Sequence, residues 1–262
     1  MCAMPLISLI TVCRNSAATI RTAMESVLAQ ESDCWEYIIV DGSSSDGTLA
    51  IIQELAPKFG SRMRWISEPD SGMYDAMNKG ISLARGAAIG ILNADDLLES
   101  PSTLSLVSSA FTDDVDAVYA DVRFVKSDLS TTVRHYGSKH WKPWMLQWGK
   151  MPPHPSIYIR REHFSSLGGY KTDYEIAADY ELVIRHLRTG HLRAKYLPAT
   201  LVRMRMGGKS TRSWRSNLLI NKETVRANRE NGYFCCMPML LPKYLFKIWE
   251  FAIPLAKRLL RR

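Results

Sequence analysis

Two carboxylates stand side by side at the end of an apolar run: Asp95 and Asp96, in Gly90-Ile91-Leu92-Asn93-Ala94-Asp95-Asp96. Adjacent acids repel each other unless a cation or strong donors hold them. Mg²⁺ and Mn²⁺ take oxygen ligands and share them between one or two carboxylates and a substrate's phosphates. The pair is therefore read as a clamp on a metal-bound diphosphate, although a solvated loop acid followed by a helix N-cap fits the same two residues. Two more acids occupy comparable places. Asp41 closes the apolar run Tyr37-Ile38-Ile39-Val40, and Asp179 lies near the start of a helical stretch spanning 176–184. An acid in that last position also serves as an ordinary partner for a helix dipole.

Chemistry at these positions requires elements that bring them together. Leu6 to Val12 and Tyr37 to Val40 are β-branched, apolar runs of the kind found in buried parallel strands. A third strand is expected at Met63 to Ser67 and a fourth at Ala88 to Leu92. Helices are expected between them: one capped by Asn15-Ser16, one beginning near Thr48, and one from Met73 to Arg85 that stops at Gly86. Alternating strands and helices give βαβ units and a mainly parallel sheet. Right-handed crossovers then put Asp41, the turn Glu68-Pro69-Asp70-Ser71-Gly72 and Asp95-Asp96 along one edge. Beyond residue 116 the pattern changes. Ala117 to Ala120 and Thr132 to Tyr136 read as antiparallel strands. Trp141, Trp144 and Trp148 read as a buried helical stripe, Leu201 to Met206 as a strand, and Ser213 to Asn231 as a polar helix.

The totals bound the class. At 262 residues, with 46% hydrophobic and 23% charged residues, the chain can bury one large core. Five cysteines without a C-x-x-C pair argue against a disulfide framework or a zinc ribbon and suit a reducing compartment. Neither a secretory leader nor a membrane-spanning run is expected. A net charge of +8 calls for an anionic partner.

Val40-Asp41-Gly42-Ser43-Ser44-Ser45-Asp46-Gly47-Thr48, the stretch Asn93 to Asp96, and Ala178-Asp179-Tyr180-Glu181-Leu182 resemble three successive motifs of the family 2 glycosyltransferases. The first strand, with Thr11 and Asn15, is similar to that family's opening. Ser67 to Gly80 resembles, more narrowly, the bacterial branch that builds colanic acid and related surface polysaccharides. The resemblance spans about residues 5 to 230 and implies a GT-A, Rossmann-like α/β fold with a mainly parallel sheet flanked by helices. It implies inverting transfer from a nucleotide-sugar, with residues 1–120 as the donor half, 121–231 as the acceptor half and 232–262 as a tail. Asp95 and Asp96 would hold Mn²⁺ or Mg²⁺, and Asn93, where the family usually carries Asp, would meet the ribose or donor sugar. Asp41, Thr11 and Cys13 would flank the base, with Asn15 and Asp70 nearby; Asp41 would accept a uracil imide N–H, favouring a uridine nucleotide, or equally a ribose hydroxyl. Arg14 and Lys79 are candidate phosphate cations. Asp179 would be the general base, His154 would line the acceptor pocket, and Gly207 to Thr211 would form a flap with Lys209.

The tail from Pro238 to Arg262 mixes Tyr244, Phe246, Trp249 and Phe251 with Lys243, Lys247, Lys257 and Arg258. That composition fits an amphipathic segment on an anionic membrane surface. Together with the resemblance, it implies a cytoplasmic protein, peripheral on the inner leaflet, acting on a saccharide or lipid-linked acceptor. Two rivals remain at this point: a nucleotide-binding scaffold without catalysis, and a nucleic-acid-binding protein. No nucleic-acid-binding motif is present, and the basic residues crowd the tail.

Overall fold

The runs that are apolar without alternation must be covered on both faces, and they take the centre of the sheet. In the computed structural model, which describes residues 7–206 and 214–242, strands β1 (Ile7–Cys13) and β2 (Trp35–Asp41) are buried along their whole length. With β3 (Met63–Ser67) and β4 (Ala88–Ile91) they form the parallel order β3-β2-β1-β4. Helices α1 (Ile20–Leu28), α2 (Thr48–Phe59) and α3 (Met73–Leu83) make the crossovers. Helix α1 buries Ile20, Ala23, Met24 and Val27, one stripe at helical spacing.

The sheet continues past β4 as β8-β6-β9-β5, comprising β5 (Leu97–Leu98), β6 (Ala117–Val125), β8 (Tyr158–Arg160) and β9 (Ala194–Arg205). Strand β7 (Thr132–Tyr136) pairs antiparallel with β6, as expected. Strand β8 runs antiparallel to both β4 and β6, whereas β6 and β9 are parallel, so the second half of the sheet is mixed. The remaining helices are α4 (Thr103–Ala110), α5 (Arg161–Leu167), α6 (Ala178–Val183) and α7 (Trp214–Glu230). One core, containing Met24, Leu55 and Leu104, lies on one face; another, containing Met77, Phe164, Leu182 and Ala227, lies on the other.

The β4–β8 seam depends on Gly90. A Cβ there would sit 2.2 Å from the ring of Tyr158, its register partner and itself fully buried. Gly90→Ala is therefore expected to destabilise the fold by about 1–3 kcal/mol, as overpacked cores do. Thermal unfolding should show a drop of several degrees, and an unchanged melting temperature would contradict the seam as described.

Several local expectations are corrected. Asn15-Ser16 does not cap α1, which starts at Ile20 without a side-chain cap. The tryptophans are not one buried stripe: Trp141 is 2% exposed, but Trp144 and Trp148, on a short 3₁₀ turn over 143–148, are 55% and 41% exposed. Cys13, Cys235 and Cys236 are free thiols, whereas Cys34 is disulfide-bonded, which the expected reducing compartment does not favour. The flap at Gly207 to Thr211 and the tail beyond Pro242 lie outside the described residues.

Candidate active site

Strands β1 to β4 end on one edge, and their last residues build the site. The β1–β4 pairing carries on past the strand, with the Leu92 amide donating to the Ile10 carbonyl at 2.9 Å. The chain then turns at Asn93 to Asp96, closed by the Asp96 amide on the Asn93 carbonyl at 3.0 Å. The two acids face different surroundings. Asp96 is 2% exposed and accepts from Asn93 Nδ2 at 2.8 Å and from the Arg205 amide at 3.3 Å. Burial, and then repulsion from Asp95, push its carboxyl up to about 8, with Asn93 and Arg205 pulling the other way. Asp95 is half-buried, and no described residue donates to its carboxylate. Arg205 anchors the turn, its Nε donating to the Asp95 carbonyl at 2.9 Å and a guanidinium nitrogen to Thr22 Oγ1 at 2.6 Å.

This geometry tests the metal. Among the described residues no group of three or more His, Cys, Asp and Glu side chains can hold an ion by itself. One open, unpaired carboxylate beside a second, buried and reluctantly ionised one instead suits a hard cation that takes its other oxygens from a bound diphosphate. The donor set fits a divalent ion in that shared mode, with Asp95 the carboxylate left open to it. Asp96 is turned inward, and Asn93 supports Asp96 rather than standing free for a ligand.

The nucleotide side is built by two stitched loops. Cys13 and Asp41 are register partners at the ends of β1 and β2. Asn15, with φ +53, accepts from the Ser45 amide at 2.9 Å and donates its own amide to Ser44 Oγ at 2.8 Å. The Ser16 amide donates to Thr48 Oγ1 at 2.7 Å, and the Ala17 amide to Asp46 at 3.0 Å. Asp41 is fully buried. It accepts from the Ser44 amide at 3.0 Å, Ser67 Oγ at 2.7 Å, the Ser44 hydroxyl and the Cys13 thiol. Burial alone would raise its carboxyl, but these donors, led by the Ser44 hydroxyl, bring it below the ordinary carboxylate range. The Cys13 thiol is pushed up by burial and then by Asp41.

Some expected roles are redistributed. Thr11 is fully buried, accepting from the Tyr37 hydroxyl at 2.9 Å and donating to the Leu92 carbonyl at 2.8 Å, so it braces the sheet instead of flanking a base. Lys79 is bound to Glu68 at 2.8 Å and to the Pro69 carbonyl at 2.8 Å, so it ties down the 68–72 turn instead of standing free for phosphate. Asp70 belongs to that same turn. It accepts from the Gly72 amide at 2.9 Å and packs where a Cβ on Gly42 would stand. Arg14 is exposed, its stem beside Gly42, with no ion pair among the described residues.

The acceptor side reaches the same edge from the other half. Strand β8 is antiparallel to β4, so the turn His154–Ser156 that leads into it lies by the carboxyl end of β4. His154 Nε2 meets the Tyr170 hydroxyl at 2.6 Å, and Tyr170 stacks on Tyr74 with ring centres 5.8 Å apart. Tyr74 opens α3 just after the 68–72 turn and donates to the Ile176 carbonyl. Asn78, one helical turn on, holds Tyr170 from both sides, donating to its carbonyl and accepting from its amide, each at 2.8 Å. Asp179 is half-buried and faces His154, Tyr74, Tyr170 and Glu223. Desolvation raises its carboxyl above the usual range; His154 and the Tyr180 amide oppose that and Glu223 adds to it. Burial lowers His154 below the usual imidazole value, and Asp179 opposes that. Tyr74, Tyr170, Arg205 and Glu223 were not singled out from the sequence. Tyr74 lies inside the 67–80 stretch and Arg205 ends a recognised strand, but Glu223 carries no local signal.

Residues 8–168 match the family described as glycosyl transferase family 2. A PGL/p-HBAD biosynthesis glycosyltransferase of Mycobacterium bovis is 31% identical over 227 residues, which are 86% of this chain and 84% of that protein. Among solved structures, the mannosyltransferase PcManGT from Pyrobaculum calidifontis, in complex with GDP-Man and Mn²⁺, superposes with TM-score 0.65 at 21% identity. That match covers 86% of this chain and 64% of the mannosyltransferase, so this chain spans less than two thirds of that protein's length. A fragment of TarS from S. aureus, in complex with UDP-GlcNAc, gives TM-score 0.64 at 15% identity, covering 85% of this chain and 67% of that one. The fold is therefore GT-A.

Proposed function

This chain belongs to glycosyl transferase family 2, and on that premise we propose that it is an inverting enzyme with a uridine-diphosphate sugar as donor. The acceptor is a hydroxyl of a saccharide or lipid-linked glycan in surface polysaccharide biosynthesis. The observation that supports this reading is an open carboxylate, Asp95, just past the end of β4, together with a desolvated one, Asp179, that interacts with His154 in the turn leading into β8, the strand paired with β4.

Each residue then has a task. Asp41 and the stitched 13–17 and 41–48 loops form the base and ribose end, and Arg14 is the cation free to meet phosphate. Asp95 would hold Mn²⁺ or Mg²⁺, which supplies Lewis-acid neutralisation of the charge that builds on the leaving diphosphate. Asp179 accepts the acceptor's O–H proton as that oxygen forms its bond to the anomeric carbon. The bond from that carbon to the β-phosphate oxygen breaks on the opposite face, and the nucleoside diphosphate leaves. His154, Tyr170 and Tyr74 wall the acceptor side. The uridine assignment draws on the UDP-GlcNAc held by TarS. The polysaccharide setting draws on the 67–80 resemblance.

The basic tail is proposed to hold the enzyme on the anionic inner leaflet. Support comes from its composition and from Phe234, Met237 and Leu241, which are exposed where the described chain runs toward it. No helix among the described residues is long and apolar enough to cross a membrane.

The direct test is a panel of nucleotide-sugars, assayed for nucleoside diphosphate release and for transfer, with Mn²⁺, Mg²⁺ or chelator. A uridine-linked donor should turn over with metal, stop in chelator and recover on adding Mn²⁺. Full activity in chelator would remove the metal clamp, and turnover confined to guanosine-linked donors would remove the uridine assignment.

A further inference from the structure

The loop that carries Asp179 into the site is not held by its own helix. Helix α6 begins without a side-chain cap, and the three backbone amides before it turn toward α7. There they meet one side chain. Glu223 Oε1 accepts from the Glu175 amide at 2.7 Å, and its Oε2 accepts from the Ile176 and Ala177 amides at 3.0 and 2.8 Å. Glu223 is only 8% exposed, and no described cation pairs with it. The rest of the inward face of α7 is well anchored. Thr224, Ala227 and Asn228 are buried, and Asn228 donates to the Tyr180 hydroxyl at 3.4 Å.

We propose that Glu223 is a positioning residue for Asp179: by gathering the 175–177 amides from α7, it aims the adjacent carboxylate at the acceptor hydroxyl and adds a fixed negative charge beside it. This rests on the reading of Asp179 as the base. The Tyr74 hydroxyl donates to the Ile176 carbonyl, so the peptide groups that Glu223 holds by their N–H are gripped from the donor half as well. The loop is thus tied at once to α3 and α7, and a change in either tie moves the base.

The groups facing Asp179 are His154 from the turn before β8, Tyr170 from the loop after α5, Tyr74 from α3 and Glu223 from α7. Of these only Glu223 brings a standing negative charge, and it favours the protonated form of Asp179. Glutamine keeps the shape but replaces one acceptor with a donor and removes the charge.

The test compares Glu223→Gln, Glu223→Asp and Asp179→Asn in the full chain. It uses kcat and KM with a turned-over donor, calorimetric UDP affinity, and the pH profile of kcat/KM. Glu223→Gln should lose about a hundredfold in kcat, the scale of a misplaced catalytic group, with UDP affinity unchanged. Its acid limb should move to lower pH. Glu223→Asp keeps the charge, so its acid limb should stay in place while kcat falls. That variant carries the test if the glutamine variant does not fold. An inactive Asp179→Asn beside a Glu223→Asp, or a folded Glu223→Gln, with wild-type kcat and pH profile would overturn the proposal alone. Normal turnover by Asp179→Asn would overturn the base reading and the positioning role together.

Discussion

Asp95→Asn is expected to lower kcat about a thousandfold, roughly 4 kcal/mol of barrier, with the fold intact. The site explains why the loss should be large at this member of the pair. Asp95 is the half-open carboxylate without a donor, while Asp96 is buried against Asn93 and Arg205. Asparagine preserves the shape and leaves one neutral oxygen to coordinate, but removes the charge that draws a divalent ion beside a diphosphate. The turn itself should persist, because Arg205 grips the Asp95 carbonyl and not its side chain. Mn²⁺ titration of activity should shift to much higher metal concentration, and UDP should no longer raise Mn²⁺ affinity. Asp96→Asn is the informative contrast. Asp96 is 2% exposed and turned onto Asn93 and the Arg205 amide, away from the ion, so a neutral isostere should change kcat far less. Wild-type kcat for Asp95→Asn at ordinary Mn²⁺ concentrations would exclude Asp95 as the ligand.

The parts of this site legible in the sequence were those set by strand chemistry. Continuous apolar runs at β1, β2 and β4 identify buried parallel strands, and a polar residue that ends such a run must lie at a sheet edge. The edge placement of Asp41 and of the Asn93–Asp96 turn follows from that, but their roles do not. The roles of Thr11 and Lys79 did not follow, because sequence shows residue type but not what has already claimed a donor. Thr11 spends its hydroxyl between Leu92 and Tyr37, and Lys79 is drawn onto Glu68. Asn15 illustrates the same limit. Its type suggested a helix cap, but with φ at +53 it cross-links two loops, and the helix begins at Ile20. Glu223 was beyond reach for another reason. Its three partners lie 46 to 48 residues away, and a clamp between backbone amides and a distant helix leaves no local pattern. The exposed Trp144 and Trp148 show that a correct spacing can still mislead: over 143–148 the backbone is 3₁₀, and only Trp141 turns inward.

Asp179→Asn should abolish transfer, by about 10²–10⁴-fold in kcat, while leaving the folded protein at least as heat-stable as the wild type at neutral pH. The two halves of this outcome share one cause. Desolvation raises the Asp179 carboxyl above its unfolded value, although His154 and the Tyr180 amide pull the other way. The folded state therefore binds that proton more tightly than the unfolded chain does. Between the unfolded and the raised folded pKa, stability falls as pH rises, so at neutral pH the ionised side chain works against the fold. Asparagine removes that penalty and with it the proton acceptor. For the wild type the same shift predicts that kcat/KM climbs with pH through a midpoint above the ordinary carboxylate range, because only the ionised form can take the acceptor's proton. The measurements are initial rates across pH for wild type, thermal melts of both proteins at neutral and acid pH, and UDP affinity of the variant, which should be unchanged. A melting temperature well below wild type, or a variant that transfers sugar at the wild-type rate, would show that Asp179 serves the fold and not the reaction. A wild-type acid limb at the ordinary carboxylate value would show that the desolvated acid beside His154 is not the group that titrates in catalysis.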